Sequence, residues 1–353
     1  MRRVTIVNEA SMTSGVGVSI NLIYKVIANL NDVRLMNIQF GDGNFLIGNV
    51  INKVFIKNKP VANRILTSIW RIKVPTNQLT IAGDGLLVNF LSNVPEIAVI
   101  HHCNVLLNKE NYPRLAGILL RKTLIRLEKA GSTVLTFSEW NRNLVLQFSK
   151  IPDSHVVVIH PYVDLPDPTN ADIVGTMMKY NIPKENLVIA VGTSVLHKNF
   201  KTLYDAVRST NINVIRVGGN KTMEIQQHGE IPPNVTFIGK ADLNRQELAS
   251  LYKMADLLAF TGTDEGFGLP MIEALSMGTP VVGNKCTTVP EILGEDQLLV
   301  NDPFNPIELR DAIYKMIENR LYYASKASER SRMYSMKQCQ SDLRDLLEKF
   351  DMN

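Results

Sequence analysis

Short runs of Val, Ile and Leu recur along this chain, and stretches of helical periodicity separate them. The first series reads as strands at 3–8 (RVTIVN), 33–40 (VRLMNIQF), 79–82 (LTIA), 96–101 (EIAVIH), 132–137 (STVLTF) and 155–159 (HVVVI). A second series follows at 186–192 (NLVIAVG), 212–218 (INVIRVG), 234–238 (NVTFI), 256–260 (DLLAF), 279–283 (TPVVG) and 297–300 (QLLV). Few of these runs alternate apolar with polar, which suits strands buried on both faces of a parallel sheet. Helical patterns at 17–30, 113–130, 140–149, 199–209, 245–254 and 306–319 lie between them, so the chain repeats a βαβ unit. The expected fold class is α/β, with two doubly wound Rossmann-like domains facing a cleft. The stretch HPYVDLPDPT at 160–169 has three prolines and no periodicity, and reads as the linker. Domains are therefore expected at 1–165 and 166–325. The tail 326–353 belongs to an amphipathic helical stretch from about Tyr322 to Phe350, with Leu343, Leu346, Leu347 and Phe350 on one stripe. Such a helix either caps its own domain or crosses back to the first.

A length of 353 residues agrees with two domains. With 45% hydrophobic and 20% charged residues, disorder, collagen and coiled coil are excluded. No run approaches the roughly 18 consecutive apolar residues of a membrane-spanning helix. The basic start MRRVTIVNEASM is too short in apolar residues for a signal peptide and reads as the first strand. Cys103, Cys286 and Cys339 lie far apart, so neither a zinc site nor a disulfide framework is expected, and a reducing cytoplasm fits.

Charge is distributed unevenly. Residues 1–165 hold 18 Lys and Arg against 10 Asp and Glu, whereas residues 166–353 hold 20 against 24. The first half is thus suited to something anionic. Residues 43–83 contain Lys53, Lys57, Lys59, Arg64, Arg71 and Lys73 with no acidic residue, and Trp70 lies among them. This stretch reads either as a solvated face or as a patch for anionic lipid headgroups with Trp70 as interfacial anchor.

Ligands of open α/β sheets bind outside the carboxyl ends of the strands, so chemistry is sought in the loops there. The most informative string is TDEGFGLPMIEALSMGTPVV at 263–282, after the run DLLAF. Gly266 and Gly268 form a turn, Pro270 suits a first helical turn and Gly278 suits the position just past a helix end. Free N–H groups from Gly268 to Met271 would then form a phosphate site at a helix N-terminus. Glu265 and Glu273 flank it. Alone, Glu273 reads equally well as a partner of the helix dipole, but a dipole does not require Gly266 and Gly268.

The string EGFGLPMIE resembles the E-x7-E signature of the family 4 glycosyltransferases, which have the GT-B fold. GTPVVG, VPEILG, DPFNP, VTFIGKADLNRQELASLYKMADLLAF and VGTSVLHKNFKTLYDAV are similar to the same family. Likeness in the first half is looser and rests on SGVGVSINL, VIHHC and FSEWNRNLV. The resemblance implies a retaining transferase that moves a sugar from a nucleoside-diphosphate sugar, GDP-mannose first and a UDP-sugar as runner-up, to a glycan or lipid-linked acceptor. It implies Lys198, Glu265 and His101 as catalytic. It implies donor contacts from Glu273, Gly15, Gly17, Gly192, His197, Gly266, Phe267, Gly268 and Leu269. His197 stands where the family usually has Arg. His102 follows His101 where the family often has Asp. Neither a cofactor, nor a protein-held metal, nor a nucleic-acid partner is expected. A cytoplasmic location follows, peripheral at the inner membrane face if the basic half binds an anionic membrane surface.

Alternatives remain open from sequence. A sugar-nucleotide epimerase or a phosphorylase shares the two-domain architecture. A non-enzymatic protein binding a membrane surface would explain the basic half but not the Glu265–Glu273 string. A nicotinamide fingerprint fails because Ile20 stands where its last glycine belongs.

Overall fold

The computed structural model describes residues 4–8, 15–28, 33–37, 78–89, 91–108, 110, 112–239, 243–295 and 297–351. Most of the acid-free stretch, with Lys53, Lys57, Lys59, Arg64, Trp70, Arg71 and Lys73, lies outside the described residues. The chain forms two compact units, 1–161 with 336–353, and 162–335. The boundaries expected at 165 and 325 thus lie at 161 and 335, and only the last part of the tail joins the first unit.

In the first unit the strands are β1 (Val4–Asn8), β2 (Val33–Asn37), β3 (Leu79–Ala82), β4 (Ile97–Val99), β5 (Thr133–Thr136) and β6 (Val156–Val158). They pair in parallel in the order β2-β1-β3-β4-β5-β6. Helices α1 (Gly15–Ala28), α2 (Arg114–Ala130) and α3 (Glu139–Phe148) are present among the described residues. The α2 helix ends where Gly131 takes a left-handed φ of 66°, a conformation open to glycine at no steric cost. Ser138 caps α3 by accepting from the Asn141 amide. The core is made by Val7, Ala82, Ala98, Ile100, Leu120, Leu124, Leu127 and Val134.

The second unit contains β7 (Leu187–Val191), β8 (Asn213–Val217), β9 (Val235–Ile238), β10 (Leu257–Phe260), β11 (Val281–Asn284) and β12 (Leu298–Val300). All its pairings are parallel, in the order β12-β11-β10-β7-β8-β9. Its helices are α4 (Asn170–Tyr180), α5 (Phe200–Val207), α6 (Lys221–His228), α7 (Arg245–Met254), α8 (Leu269–Ser276), α9 (Val289–Leu293), α10 (Pro306–Glu318) and α11 (Arg320–Ser331). Val188, Ala190, Leu203, Val214, Leu257, Ala259, Val282 and Ile313 form its core.

The amphipathic tail is two helices, not one. A 3-10 turn at Arg332–Tyr334 and extended Ser335 separate α11 from α12 (Met336–Asp351), which packs on α1. Leu343, Leu346 and Leu347 are buried there, as their stripe predicts. The break comes from Tyr334, which is buried, lies edge-on to Phe267 and donates to the Ile292 carbonyl at 3.1 Å.

Candidate active site

The sheet of the second unit reverses its order between β7 and β10, which are neighbours although 65 residues separate Val191 from Leu257 in sequence. In doubly wound sheets a ligand crevice opens beyond the carboxyl ends of the strands at such a reversal. Two loops emerge there, 192–199 after β7 and 261–268 after β10. They are laced together by backbone carbonyls. The Thr263 amide donates to the His197 carbonyl at 2.8 Å, and the Thr261 hydroxyl donates to the Lys198 carbonyl at 2.8 Å. From β11, the Asn284 amide group donates to the Thr261 carbonyl at 2.7 Å.

This lacing aims two side chains at each other. Lys198 Nζ lies 2.6 Å from Glu265 Oε1, and the two side chains are only 17% and 9% exposed. Gly262 makes the approach possible, since a Cβ there would run into the Glu265 carboxylate. Lys198 ends a 3-10 turn, Leu196–Lys198, and Asn199 closes it with a left-handed φ of 53°. His197 is partly buried, and burial lowers its pKa against the pull of Glu265. At neutral pH it is therefore an uncharged ring, not a second fixed cation in the place of an arginine.

Beyond Glu265, Gly268 holds φ at 91°, and a Cβ would press on Met271 and Phe260. Only glycine meets both demands. Helix α8 starts at Leu269 with Pro270 in its first turn, and Gly278 follows its end at a φ of 73°. The expected row of free N–H groups needs correction. Pro270 has none, and the Met271 amide donates to the Gly268 carbonyl at 3.0 Å. Of the row expected from Gly268 to Met271, that leaves the amides of Gly268 and Leu269. Gly266 lies in the turn, whereas the Phe267 side chain is buried against Tyr334 and contributes to packing. Gly192 begins the β7 loop, and its carbonyl accepts from Arg216 at 3.0 Å.

Glu273, one turn into α8, is held by Tyr252. The buried phenol donates to Oε2 at 2.8 Å. Burial raises the pKa of the Glu273 carboxyl, and the Tyr252 bond and nearby Arg245 oppose that rise. One carboxylate oxygen is thus fixed. Sequence reasoning missed Tyr252, Gly262 and Arg216. An arginine inside the Val/Ile run of β8 was the available signal, because such residues are almost never buried without a partner.

The other expected residues belong to the first unit. Gly15 and Gly17 lie in the first turn of α1, a helix start and not a free loop. His101 follows β4 by two residues, past the strand end expected at 101. Its Nε2 donates to the Gly83 carbonyl at 2.8 Å, and its ring meets the edge of Phe137. Burial lowers its pKa, with Asp84 acting in the opposite sense. Asp84, His101, His102 and Tyr112 line a cavity of about 210 Å³. Gly83 continues from β3 and donates to the Val7 carbonyl of β1 at 2.8 Å, so His101 stands at the carboxyl ends beside the β1/β3 reversal. Among the described residues no cluster of His, Cys, Asp and Glu could hold a metal.

Residues 176–335 match the family model for glycosyl transferases group 1. The O-antigen chain mannosyltransferase RfbU of Salmonella typhimurium is 38% identical over 125 residues, 33% of this chain and 35% of that protein. O-antigen chain mannosyltransferase B of Escherichia coli is 23% identical over 59% of this chain and 57% of its own length. The chain therefore spans about a third to somewhat over half of these curated relatives. Among solved structures, Anabaena HepE in complex with UDP-glucose superposes with a TM-score of 0.74 at 18% identity, covering 99% of this chain and 100% of that one. The fold class is accordingly that of the GT-B glycosyltransferases, two Rossmann-like α/β units with parallel sheets, and the sequence of residues 176–335 is similar to the group 1 glycosyl transferases.

Proposed function

We propose that the protein is a retaining glycosyltransferase of family 4 that moves a sugar from a nucleoside-diphosphate sugar to a glycan or lipid-linked acceptor. The observation that carries this is the Lys198–Glu265 pair at the β7/β10 reversal, next to the N-terminus of α8. A diphosphate leaving group gains negative charge as the bond to the anomeric carbon breaks. Lys198 and the amides of Gly268 and Leu269 are groups of the right sign to receive it, and preorganised charge of this kind lowers the barrier. Glu265 supports the positive charge that develops on the sugar. Glu273, with one oxygen on Tyr252, accepts from the ribose hydroxyls with the other.

Front-side displacement on the donor face is the proposed route, in contrast to the two-carboxylate scheme of retaining glycosidases. No metal takes part in this scheme, because Lys198 and backbone amides meet the diphosphate. The second unit binds the donor and the first binds the acceptor, where His101 is the candidate catalytic residue. GDP-mannose is the favoured donor, supported by the mannosyltransferase relatives. A UDP-sugar is the second reading, supported by HepE in complex with UDP-glucose.

The protein acts in the cytoplasm, peripheral at an anionic membrane face. Support comes from the outer face of α2, where Arg114, Arg121, Lys122 and Lys129 surround Ile118 and Ile125, which are 62% and 51% exposed. Arg126 of the same helix is turned inward, to the Val88 and Leu91 carbonyls. No helix of the described residues is long and apolar enough to cross a membrane. The deciding experiment is a thermal-shift panel of GDP, UDP, GDP-mannose and UDP-glucose followed by product analysis, since a ligand of the folded state raises its stability by mass action. Stabilisation by a nucleotide sugar with transfer and retained anomeric configuration is expected. An inverted product, or no shift with any nucleotide, would refute it.

A further inference from the structure

We infer that the buried ion pair of Arg216 and Glu224 positions the β7 loop so that Lys198 meets the leaving group. This rests on the role proposed above for Lys198. Arg216 is the last residue but one of β8, and neither its side chain nor that of Glu224 on α6 is exposed at all. Desolvating two charges is costly, and a well-packed apolar pair often serves stability as well or better. The geometry supplies another reason for the pair.

Glu224 clamps the guanidinium through Nε at 3.1 Å and Nη2 at 2.9 Å. That leaves Nη1 directed to the carboxyl end of the sheet, where it donates to the Gly192 carbonyl at 3.0 Å and to the Val217 carbonyl. Gly192 is the first residue of the loop that ends at Lys198 and Asn199. The other end of that loop runs directly into α5. There Phe200 lies under the guanidinium, 3.6 Å from its ring centroid, and Tyr204 donates to Glu224 Oε1 at 2.7 Å. Both ends of an eight-residue loop are thus fastened to one buried pair.

The middle of the loop is fastened to the neighbouring turn. The Asn220 amide donates to Ser194 Oγ at 3.1 Å, and the Ser194 hydroxyl reaches the Asn220 carbonyl at 3.2 Å. Gly218, at a φ of 94°, sits so close to Gly192 that a Cβ would lie 2.6 Å from its carbonyl oxygen. An arginine is suited to this task because its planar fork engages a carboxylate with two donors and keeps others for backbone. Arg216 and Glu224 touch no reacting atom in this scheme. They act through the loop.

The test is a coupling measurement on purified, folded protein, with release of GDP from GDP-mannose or UDP from UDP-glucose as readout. Arg216→Met with Glu224→Leu replaces the pair by apolar side chains of similar bulk. It is expected to lower kcat about tenfold or more with the donor KM within about threefold. Lys198→Ala should cost about a hundredfold in the wild type but tenfold or less in the double variant, because residues acting as one unit are not additive. A wild-type kcat in the double variant, or an equal Lys198→Ala factor in both backgrounds, overturns the inference. If the double variant does not fold, Arg216→Lys takes its place, since it retains the charge but not the fork. It should lower kcat in the same way, and an unchanged kcat there overturns the inference too. A Lys198→Ala variant with wild-type turnover would instead remove the role of Lys198, and the inference with it.

Discussion

The contact between Lys198 and Glu265 makes a prediction with two opposite signs. Without ligand, the ammonium and carboxylate groups neutralise each other at 2.6 Å, nearly out of water. A diphosphate that reaches Lys198 comes within about 6 Å of the Glu265 carboxylate. Two like charges at that separation repel by about 3 kcal/mol at an effective dielectric constant near 20. Relaxation and residual solvent reduce the net effect, and about 1.4 kcal/mol, a factor of ten in Kd, is a reasonable expectation. Glu265→Gln keeps the shape and removes the charge. It should therefore bind free GDP or UDP about tenfold more tightly. The same change removes the carboxylate that supports positive charge on the sugar, so turnover should fall by about a hundredfold or more. Calorimetry with the free nucleotides and nucleotide release from the donor measure the two effects separately. Unchanged or weaker nucleotide binding together with wild-type turnover would show that Glu265 does not face the diphosphate. Weaker binding with lost turnover would show instead that its charge is needed to hold the loop.

The other expectations concern neighbouring groups. Lys198→Ala should lower turnover by about a hundredfold or more while the protein stays folded, as an unchanged melting curve would show. Glu273→Ala should weaken GDP or UDP binding in calorimetry, and unchanged affinity would take Glu273 out of the site. Burial raises the Glu273 pKa, and ribose needs the ionised form. Nucleotide affinity should thus decline on acidification with a midpoint above the ordinary value of 4.5, and Tyr252→Phe should move that midpoint higher still. The sign for stability is the reverse, because a carboxyl with a raised folded pKa contributes stability at low pH that is lost as pH rises through that pKa. His197→Arg should raise turnover if a fixed cation is useful at that place. Co-sedimentation with anionic vesicles should fall with salt and with Arg121 and Lys122, or Lys53, Lys57 and Lys59, changed to Glu. Equal recovery in the supernatant with and without vesicles would leave an ordinary solvated face.

How legible this molecule was differs from layer to layer. Every strand expected from an apolar run is found, trimmed by a residue or more at most ends, because buried parallel strands need Val, Ile and Leu on both faces and little else. The start of helix α4 is legible in the capping box of Thr169 and Asp172, directly after the proline-rich stretch 160–169. The 3-10 turn at 332–334 was beyond any local pattern, since its cause is the contact of Tyr334 with Phe267 and Ile292, which are distant in sequence. Likewise, nothing local brings Lys198 to Glu265, 67 positions apart. Resemblance named both residues, and the β7/β10 reversal accounts for their meeting. Arg216 was legible only as an anomaly, a charge inside the run INVIRVG. Strand periodicity is satisfied by many side chains, so it could not say why this one is an arginine. The donor that reaches Gly192 can say it, and that bond depends on β7 and β8 lying side by side. Composition and periodicity therefore determine the sheets. The residues that violate them, a buried arginine and glycines at positive φ, mark the loops where the sheets are put to use.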